Sequence, residues 1–175
     1  MLISESLQKA INEQIGHEFG AKLQYVSIAS YFAEEDLPQL AAFFYRQADE
    51  EDMHAMMFVH YLVDVEGAVE IPALEQPQAS FASAEEAVQA ALTWEQEVTG
   101  QINALMDLAA SENDHMAQEF LRWFVTEQRE EVSTMKTLLN TVRRAGSNLL
   151  WVEDFLARNP IGQTEAAGAT TPQAA

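Results

Sequence analysis

The alternation of apolar and polar residues divides the chain into four long stretches and one short one. In each long stretch apolar residues recur at steps of three and four, which places them on one face of an α-helix. The pattern predicts helices over residues 4–34, 38–66, 83–110, 115–145 and 149–158. Each long helix therefore has one face to bury, and the four together can enclose a core.

Local signals support these boundaries. Asp36, two residues before Pro38, predicts the cap and first turn of the second helix. Ser83 followed by Glu86 matches the capping box that opens many helices. Gly146 stands where the fourth helical pattern stops, as glycine commonly does at helix ends. Only short turns are left between the first and second helices and between the third and fourth.

The connection between the second and third predicted helices is longer. Residues 67–82 contain two prolines and no sustained helical period, which is typical of an irregular loop. A loop of this length can travel back along the second helix, so the second and third helices are predicted to run parallel. The sequence thus predicts an all-α four-helix bundle with a long crossover and a short fifth helix, forming one domain over residues 1–159. The small, polar residues 160–175 are predicted to be a disordered tail.

Polar residues interrupt the apolar face of every long helix near its middle. Glu51 and His54 are three residues apart, so a helix places this carboxylate and imidazole on one face. A charged group on a buried face needs a partner. The interrupting residues are Glu18, Glu51, His54, Glu95, Gln128 and Glu131. Their agreement in depth predicts one polar level across the core.

A polar network without metal and a metal centre both account for this level. Four buried carboxylates repel one another and have raised pKa values unless cations are present. Two divalent ions would balance the four charges, because His54 and Gln128 are neutral. A ligand set rich in oxygen, with one imidazole and no sulfur, suits iron or manganese. Iron is favoured because it can also change its oxidation state.

Composition narrows the possible partners. Nine basic and 28 acidic residues give a net charge of −19, which disfavours nucleic acid and anionic membranes and attracts cations. The chain has no cysteine, so disulfides, thiolate sites and iron–sulfur clusters are excluded. Its start lacks the features of a signal peptide, and no apolar run is long enough to span a bilayer. A cytoplasmic location is therefore expected.

Together these motifs resemble those of the bacterial non-haem ferritins over residues 1–159. The resemblance rests on the acidic and histidine residues of the four helices, the long crossover and the short fifth helix. It implies a ferritin-like bundle with ferroxidase activity, in which Fe²⁺ is oxidised by dioxygen or hydrogen peroxide. It also implies a hollow shell of about twenty-four identical subunits that stores the ferric product as mineral.

The resemblance further implies roles for single residues. Two irons per subunit would be bound, the first by Glu18 and His54, the second by Glu95 and Glu131, with Glu51 bridging both. Gln128 would lie beside the dioxygen site. Tyr25 would be the tyrosine next to the two irons that can donate an electron.

A third iron site is the last part of the resemblance. Glu127 and Glu130 are three residues apart and share a helix face turned slightly from the buried one, and Glu50 is offset in the same way beside Glu51. Bacterial non-haem ferritins have a third site made from matching glutamates together with Glu131. The alternative is that Glu50, Glu127 and Glu130 are solvated acids on helix flanks.

Two features separate the chain from the haem-binding bacterioferritins. Those proteins carry a second Glu-x-x-His on the fourth helix, whereas the matching segment here, Gln128-x-x-Glu131, ends in glutamate. They also place the haem-ligating methionine directly after the bridging glutamate, where this chain has Asp52. No haem is therefore expected.

Three questions stay open at the level of sequence. A soluble diiron oxidase or oxygenase acting on an organic substrate would use similar ligands and is the competing function. Glu112, Asp114 and Glu119 either line a pore for iron entry or form a solvated helix start. The tryptophans are predicted to be core or interface residues, because nothing in their spacing links them to the polar level: Trp94, Trp123 and Trp151.

Overall fold

The computed structural model describes residues 2–162, which fold as five α-helices without a β-strand. The helices are α1 (Glu5–Glu34), α2 (Pro38–Asp64), α3 (Ala84–Ser111), α4 (His115–Ala145) and α5 (Leu149–Arg158). The all-α prediction is confirmed, and every predicted boundary lies within about two residues of the observed one, the usual uncertainty of helix ends. None of these helices combines the length and apolarity needed to cross a membrane. Residues 163–175 of the predicted tail lie outside the described part of the chain.

Three of the four long helices begin with a side-chain cap from their own sequence. Ser4 accepts a hydrogen bond from the Leu7 amide at 3.1 Å and caps α1. Ser83 caps α3 through the Glu86 amide at 3.1 Å, and Asp114 caps α4. These caps satisfy amide groups that have no partner inside the helix. The predicted capping box of α3 is thus confirmed on its serine side, while the Glu86 carboxylate binds the amide of residue 82.

Helix α2 differs, and the prediction that Asp36 caps it is wrong. Asp36 has a positive φ of 57°, and the N-cap residue is Leu37, which has no side-chain oxygen. The free amides of the first turn are instead bound from the other end of the chain. The carboxylate of Glu153, on α5, accepts hydrogen bonds from Gln39 N at 2.7 Å and Leu40 N at 2.9 Å.

The crossover between α2 and α3, residues 67–82, lies along α1. The Asn12 amide donates to a main-chain carbonyl near the start of the crossover at 2.9 Å. Gln24, three turns farther along α1, exchanges two hydrogen bonds with the main chain of the crossover near its end. Between these contacts the Pro72 ring packs so closely on Gly16 that a Cβ there would collide with it. The crossover therefore returns along the length of α1, which makes α2 and α3 parallel as predicted.

The apolar core consists of two clusters. The α5 cluster contains Phe32, Phe44, Leu138, Val142 and Val152, with other buried residues of all five helices. The N-terminal cluster contains Leu7, Ile15, Phe58, Leu121 and Phe124, with further buried residues from α1 to α4. On every long helix the polar residues singled out from the sequence fall between the two clusters. The bundle therefore has a polar level at mid-length, sandwiched between apolar layers.

Candidate metal centre

The polar level is almost closed to solvent. Each of the four long helices turns at least one of the predicted residues into it, since their apolar neighbours one turn away face the clusters above and below. All are at most 5% exposed: Glu18, Glu51, His54, Glu95, Gln128 and Glu131. The prediction that these residues share one depth in the core is therefore confirmed.

Three of these residues converge tightly. Glu18, Glu51 and His54 each offer a ligand atom, and these atoms lie within 4.8 Å of one another. His54 Nδ1 is 3.3 Å from Glu51 Oε2 and 4.0 Å from Glu18 Oε2. Glu18 Oε2 and His54 Nε2 are buried and have no hydrogen-bond partner among residues 2–162. Buried polar atoms are rarely left without a partner. Because Glu18 Oε2 is the unpartnered atom that His54 Nδ1 faces, the cluster fits a bound cation.

The other side of the level is held by hydrogen bonds. The Tyr25 hydroxyl donates to Glu95 Oε1, and Gln128 Nε2 donates to Glu95 Oε2 at 3.1 Å. Glu131 accepts from Gln47 Nε2 at 3.2 Å. Within residues 2–162, only Glu18, Glu51 and His54 meet as a trio of potential ligands at the spacing given above. Glu95 and Glu131 thus face the cluster from α3 and α4 as hydrogen-bonded carboxylates.

Burial raises the pKa of every carboxyl group in the level. The neighbouring carboxylates add repulsion: Glu51 raises the pKa of Glu18 further, and Glu95 does the same for Glu51 and Glu131. The pKa of Glu95 is also raised by burial, although the hydrogen bond from Tyr25 opposes this. Without cations the level therefore retains protons, and a divalent ion would displace them because it supplies the missing positive charge.

The residues predicted for a third site lie beside this level. Glu50 is half-buried, and burial raises its pKa to about 7, with repulsion from Glu127 adding to the effect. Glu127 and Glu50 also raise the pKa of Glu131, so the three carboxyl groups share one electrostatic environment. Glu130 is half-buried and accepts a hydrogen bond from Arg129 at 3.1 Å. The third site remains a prediction.

Sequence reasoning missed two glutamines and one tryptophan that touch the site. Gln14 Nε2 donates to Glu18 Oε1 at 2.8 Å, and Gln47 donates to Glu131. Gln14 lies four residues before Glu18, a spacing that could have revealed its contact. Gln47 instead reaches Glu131 on another helix, which no spacing along the sequence indicates. The Trp123 ring lies edge-on to His54, with centroids 5.5 Å apart. Trp123 packs against the N-terminal cluster, as predicted for a core residue, and it also contacts the polar level.

The acidic residues at the start of α4 have local partners. Glu112 accepts hydrogen bonds from the Ser4 and Ser6 hydroxyls, and these bonds lower its pKa. Asp114 caps α4, and Glu119 pairs with Arg122 at 3.3 Å. These contacts account for the acidic residues locally, and their role in a pore stays a prediction.

Comparison with known proteins gives matches over most of the chain. A family model described as a ferritin-like domain matches residues 8–145. Ferritin BfrB of Mycolicibacterium smegmatis is 47% identical over 167 residues, which cover 94% of this chain and 90% of that protein. The bacterial non-heme ferritin of Staphylococcus aureus is 35% identical over 153 residues, which cover 86% and 92% of the two chains.

Comparison of folds points the same way. An open-pore ferritin from the hyperthermophilic archaeon Archaeoglobus fulgidus superposes with a TM-score of 0.87 at 31% identity. The superposition covers 90% of this chain and 99% of the archaeal one. The similarity in sequence and in fold therefore includes all four helices that supply the polar level.

Proposed function

The chain belongs to the ferritin family, and from this we propose that it stores iron and oxidises Fe²⁺ at the polar level of each subunit. The observation that carries the proposal is the buried cluster of Glu18, Glu51 and His54, in which Glu18 Oε2 lacks a hydrogen-bond partner among residues 2–162. Its iron is substrate and cargo, which enters as Fe²⁺ and is kept as ferric mineral.

In the proposed centre, the two sides of the polar level each hold one iron. Glu18 and His54 would bind the first, because Glu18 Oε2 and the imidazole already face each other across 4.0 Å. Glu95 and Glu131 would bind the second, and Glu51 would bridge the two. Four carboxylates and two divalent ions balance in charge, which offsets the cost of burying both.

Oxidation would need no organic cofactor. Each Fe²⁺ gives one electron, and a dioxygen molecule that accepts two electrons and two protons leaves as hydrogen peroxide. Hydrogen peroxide as the oxidant would take two electrons and two protons and give water. The Tyr25 hydroxyl donates a hydrogen bond to Glu95. When a single Fe²⁺ reacts with dioxygen, Tyr25 would supply the second of the two electrons, with its proton passing to that carboxylate. Gln128 also donates to Glu95 and would orient it beside the site for the oxidant.

Exposed apolar residues support the proposed assembly into a cage. On α5, Leu150 is 72% exposed and Trp151 is 46% exposed, although the other side of the helix is buried. On α1 and α2, Leu23, Met53 and Val63 are also exposed. A single chain would gain by covering such residues with copies of itself. We propose a shell of about twenty-four subunits. The third site, formed by Glu50, Glu127 and Glu130 together with Glu131, would pass oxidised iron inward.

The test combines metal binding with particle size. Fe²⁺ is titrated into the metal-free protein under anaerobic conditions, and oxidant is then added while the ferric absorbance is followed by stopped flow. The wild type should show a fast phase for two irons per subunit on a particle of about twenty-four subunit masses. His54→Ala should keep the particle and lose the fast phase. His60→Ala, which changes an exposed histidine of the same helix, is the matched control.

Three results would contradict the proposal. A wild-type protein without a fast phase of ferrous oxidation would rule out ferroxidase activity. An unchanged fast phase in His54→Ala would rule out the assigned centre. A monomer or dimer that oxidises an added organic substrate would instead favour the diiron oxidase.

A further inference from the structure

Gln47 is a buried side chain to which neither proposed iron site gives a role. It lies on α2, one turn before Glu51, and is 2% exposed. Its Nε2 donates to Glu50 Oε2 at 2.7 Å and lies 3.2 and 3.4 Å from the two carboxylate oxygens of Glu131. A single neutral amide therefore touches a carboxylate of the proposed two-iron centre and a carboxylate of the proposed third site.

These contacts limit how far the two carboxylates can separate. Because Glu50 and Glu131 bind the same nitrogen atom, their oxygens are no farther apart than the two contacts added together. The two residues are on different helices, α2 and α4, so no sequence spacing holds them at this distance. In the described residues, Gln47 is the hydrogen-bond donor that joins them. Without it, two acidic groups that repel each other would face one another directly.

The chain after α5 packs against the opposite side of this amide. A Cβ built on Gly162 would lie 3.2 Å from Gln47 Oε1, 3.3 Å from the Phe43 ring and 3.5 Å from Thr134. Gly162 also has a φ of 71°, which favours glycine. The absence of a side chain at this position therefore lets the chain pass close to Gln47 without displacing it. The amide is held with its oxygen toward Gly162 and its nitrogen toward the carboxylates.

We propose that Gln47 is a positioning residue that holds Glu50 and Glu131 together and thereby sets the affinity of the third site for a divalent cation. The proposal deepens the proposed function, on which it rests. A cation between two carboxylates needs both at once, and a donor that keeps them close reduces the reorganisation on binding. Since the amide is neutral, it does this without changing the charge balance of the two-iron centre.

Gln14 provides the matched comparison. It is also a buried glutamine four residues before a proposed ligand, and its amide donates to Glu18 at 2.8 Å. Among the described residues, however, it binds a single carboxylate of the cluster and none of the third site. The same substitution at both positions therefore separates a special role of Gln47 from a general effect of removing a buried amide next to a ligand.

The experiment uses Zn²⁺ as a redox-inert probe of the assembled, metal-free protein. Crystals of wild type, Gln47→Leu and Gln14→Leu are soaked in Zn²⁺, and anomalous scattering gives the occupancy of each site. Calorimetric titration gives the dissociation constants in solution. We expect Gln47→Leu to weaken the third site about tenfold, the lower end of the effect of residues that support metal ligands, while the two-metal centre still fills. Gln14→Leu should leave the affinity of the third site at its wild-type value.

A second pair of variants makes the test independent of core packing. Gln47→Asn keeps an amide but is one methylene too short to reach both carboxylates, so it should behave as Gln47→Leu does. Gly162→Ala should weaken the third site by a smaller factor, because its methyl group presses on Gln47. Combined with Gln47→Leu, it should have no additional effect on that site, since the contact it acts through is gone.

The outcomes are distinct. Wild-type occupancy and affinity of the third site in both Gln47→Leu and Gln47→Asn would overturn the inference, as would a wild-type protein in which no cation binds beside Glu50. Either result with a filled two-metal centre leaves the proposed iron storage and oxidation at that centre standing. An empty two-metal centre in the wild type would instead refute the proposed function itself.

Discussion

The two apolar clusters and the polar level between them share the same four long helices, yet they act oppositely on the free energy of folding. The clusters bury side chains such as Phe32 and Leu121, whose removal from water stabilises the fold. The polar level buries four carboxyl groups, whose pKa values are all raised because the charged form is disfavoured there. The clusters above and below the polar level therefore stabilise the bundle, whereas the polar level itself destabilises it.

This contrast shows what the polar level is for. A core built only for stability would continue the apolar face through mid-length, since replacing buried charges by apolar side chains is often neutral or stabilising. The four helices instead each give up a buried position at the same depth. The binding of cations offsets this loss of stability, because their charge removes the repulsion between the carboxylates.

The largest effect should come from removing the bridging carboxylate. We expect Glu51→Ala to slow ferrous oxidation by more than about 100-fold, since the loss of even a residue that supports a ligand costs roughly 10- to 100-fold. The same variant should make the metal-free protein no less stable, because a buried carboxyl group and its repulsion are gone. Stopped-flow oxidation and chemical denaturation measure the two effects.

Glu97→Ala is the control for this variant, because it removes an exposed glutamate of α3. It should change neither the rate nor the stability appreciably. A Glu51→Ala protein that oxidises iron at the wild-type rate, or that is much less stable without metal, would break the contrast between the polar level and the clusters.

A change in a cluster should have the reverse signature. Phe32 is fully buried and stacks on Phe44 with ring centroids 5.7 Å apart. Phe32→Ala should lower the free energy of unfolding by about 3 to 5 kcal/mol, the range for such deletions. The fast phase of the folded particles should persist, because no atom of the polar level is removed. Denaturation of the metal-free protein and oxidation rates per assembled subunit test both statements.

The clusters were predictable from sequence because helical periodicity reports burial directly. The stripe that contains Leu7, Ile11 and Ile15 is buried as expected, and so are the polar residues that interrupt it and its counterparts. Contacts between distant parts of the chain were harder to predict from the sequence. Periodicity indicates which face of a helix is buried, but not which side chain of another helix it meets.

Three contacts illustrate this limit. Gln47 joins two acids on different helices, Trp123 lies against His54, and Glu153 caps a helix more than a hundred residues earlier. Each depends on how the helices are rotated and shifted relative to one another. That arrangement follows from the packing of the whole core, which no single stretch of sequence specifies.

A third prediction uses pH to vary how much the buried acidic groups destabilise the metal-free protein. Glu50 has a pKa of about 7 in the fold and an ordinary value of 4.5, so the folded protein holds more protons than the unfolded chain between these values. Stability of the metal-free protein should therefore fall as pH rises from 4.5 through 7. After allowance for solvent screening, Glu50 alone should account for about 1 to 3 kcal/mol. The more deeply buried carboxyl groups act in the same direction.

Denaturation curves across this pH range test the sign. Glu50→Gln cannot titrate and should give a shallower decline than the wild type. Phe32→Ala, a change in one of the clusters, is the matched control, because it should lower the free energy of unfolding by a similar amount at every pH. A metal-free wild type that grows more stable between pH 4.5 and 7 would contradict the proposed cost of the polar level.

The smallest effect should come from a carboxylate outside the polar level that stabilises the fold. Glu153 binds the two amides at the start of α2, where the positive end of the helix dipole favours a negative charge. It is the only side chain within residues 2–162 shown to bind these two amides, since Leu37 cannot cap the helix. Glu153→Ala should therefore cost about 0.5 to 2 kcal/mol, the range for loss of a helix cap.

Its neighbour Asp154 makes the comparison a matched one. Asp154 pairs with Arg158 at 2.8 Å on the exposed side of α5, and exposed ion pairs contribute about 0 to 1 kcal/mol. Asp154→Ala should therefore change stability less than Glu153→Ala, although both remove one acid from the same helix. Limited proteolysis should also cut α5 sooner in Glu153→Ala, because its link to α2 is lost. Equal stability and equal cleavage in the two variants would show that the position of a carboxylate, at a helix start or on an open surface, does not decide its contribution.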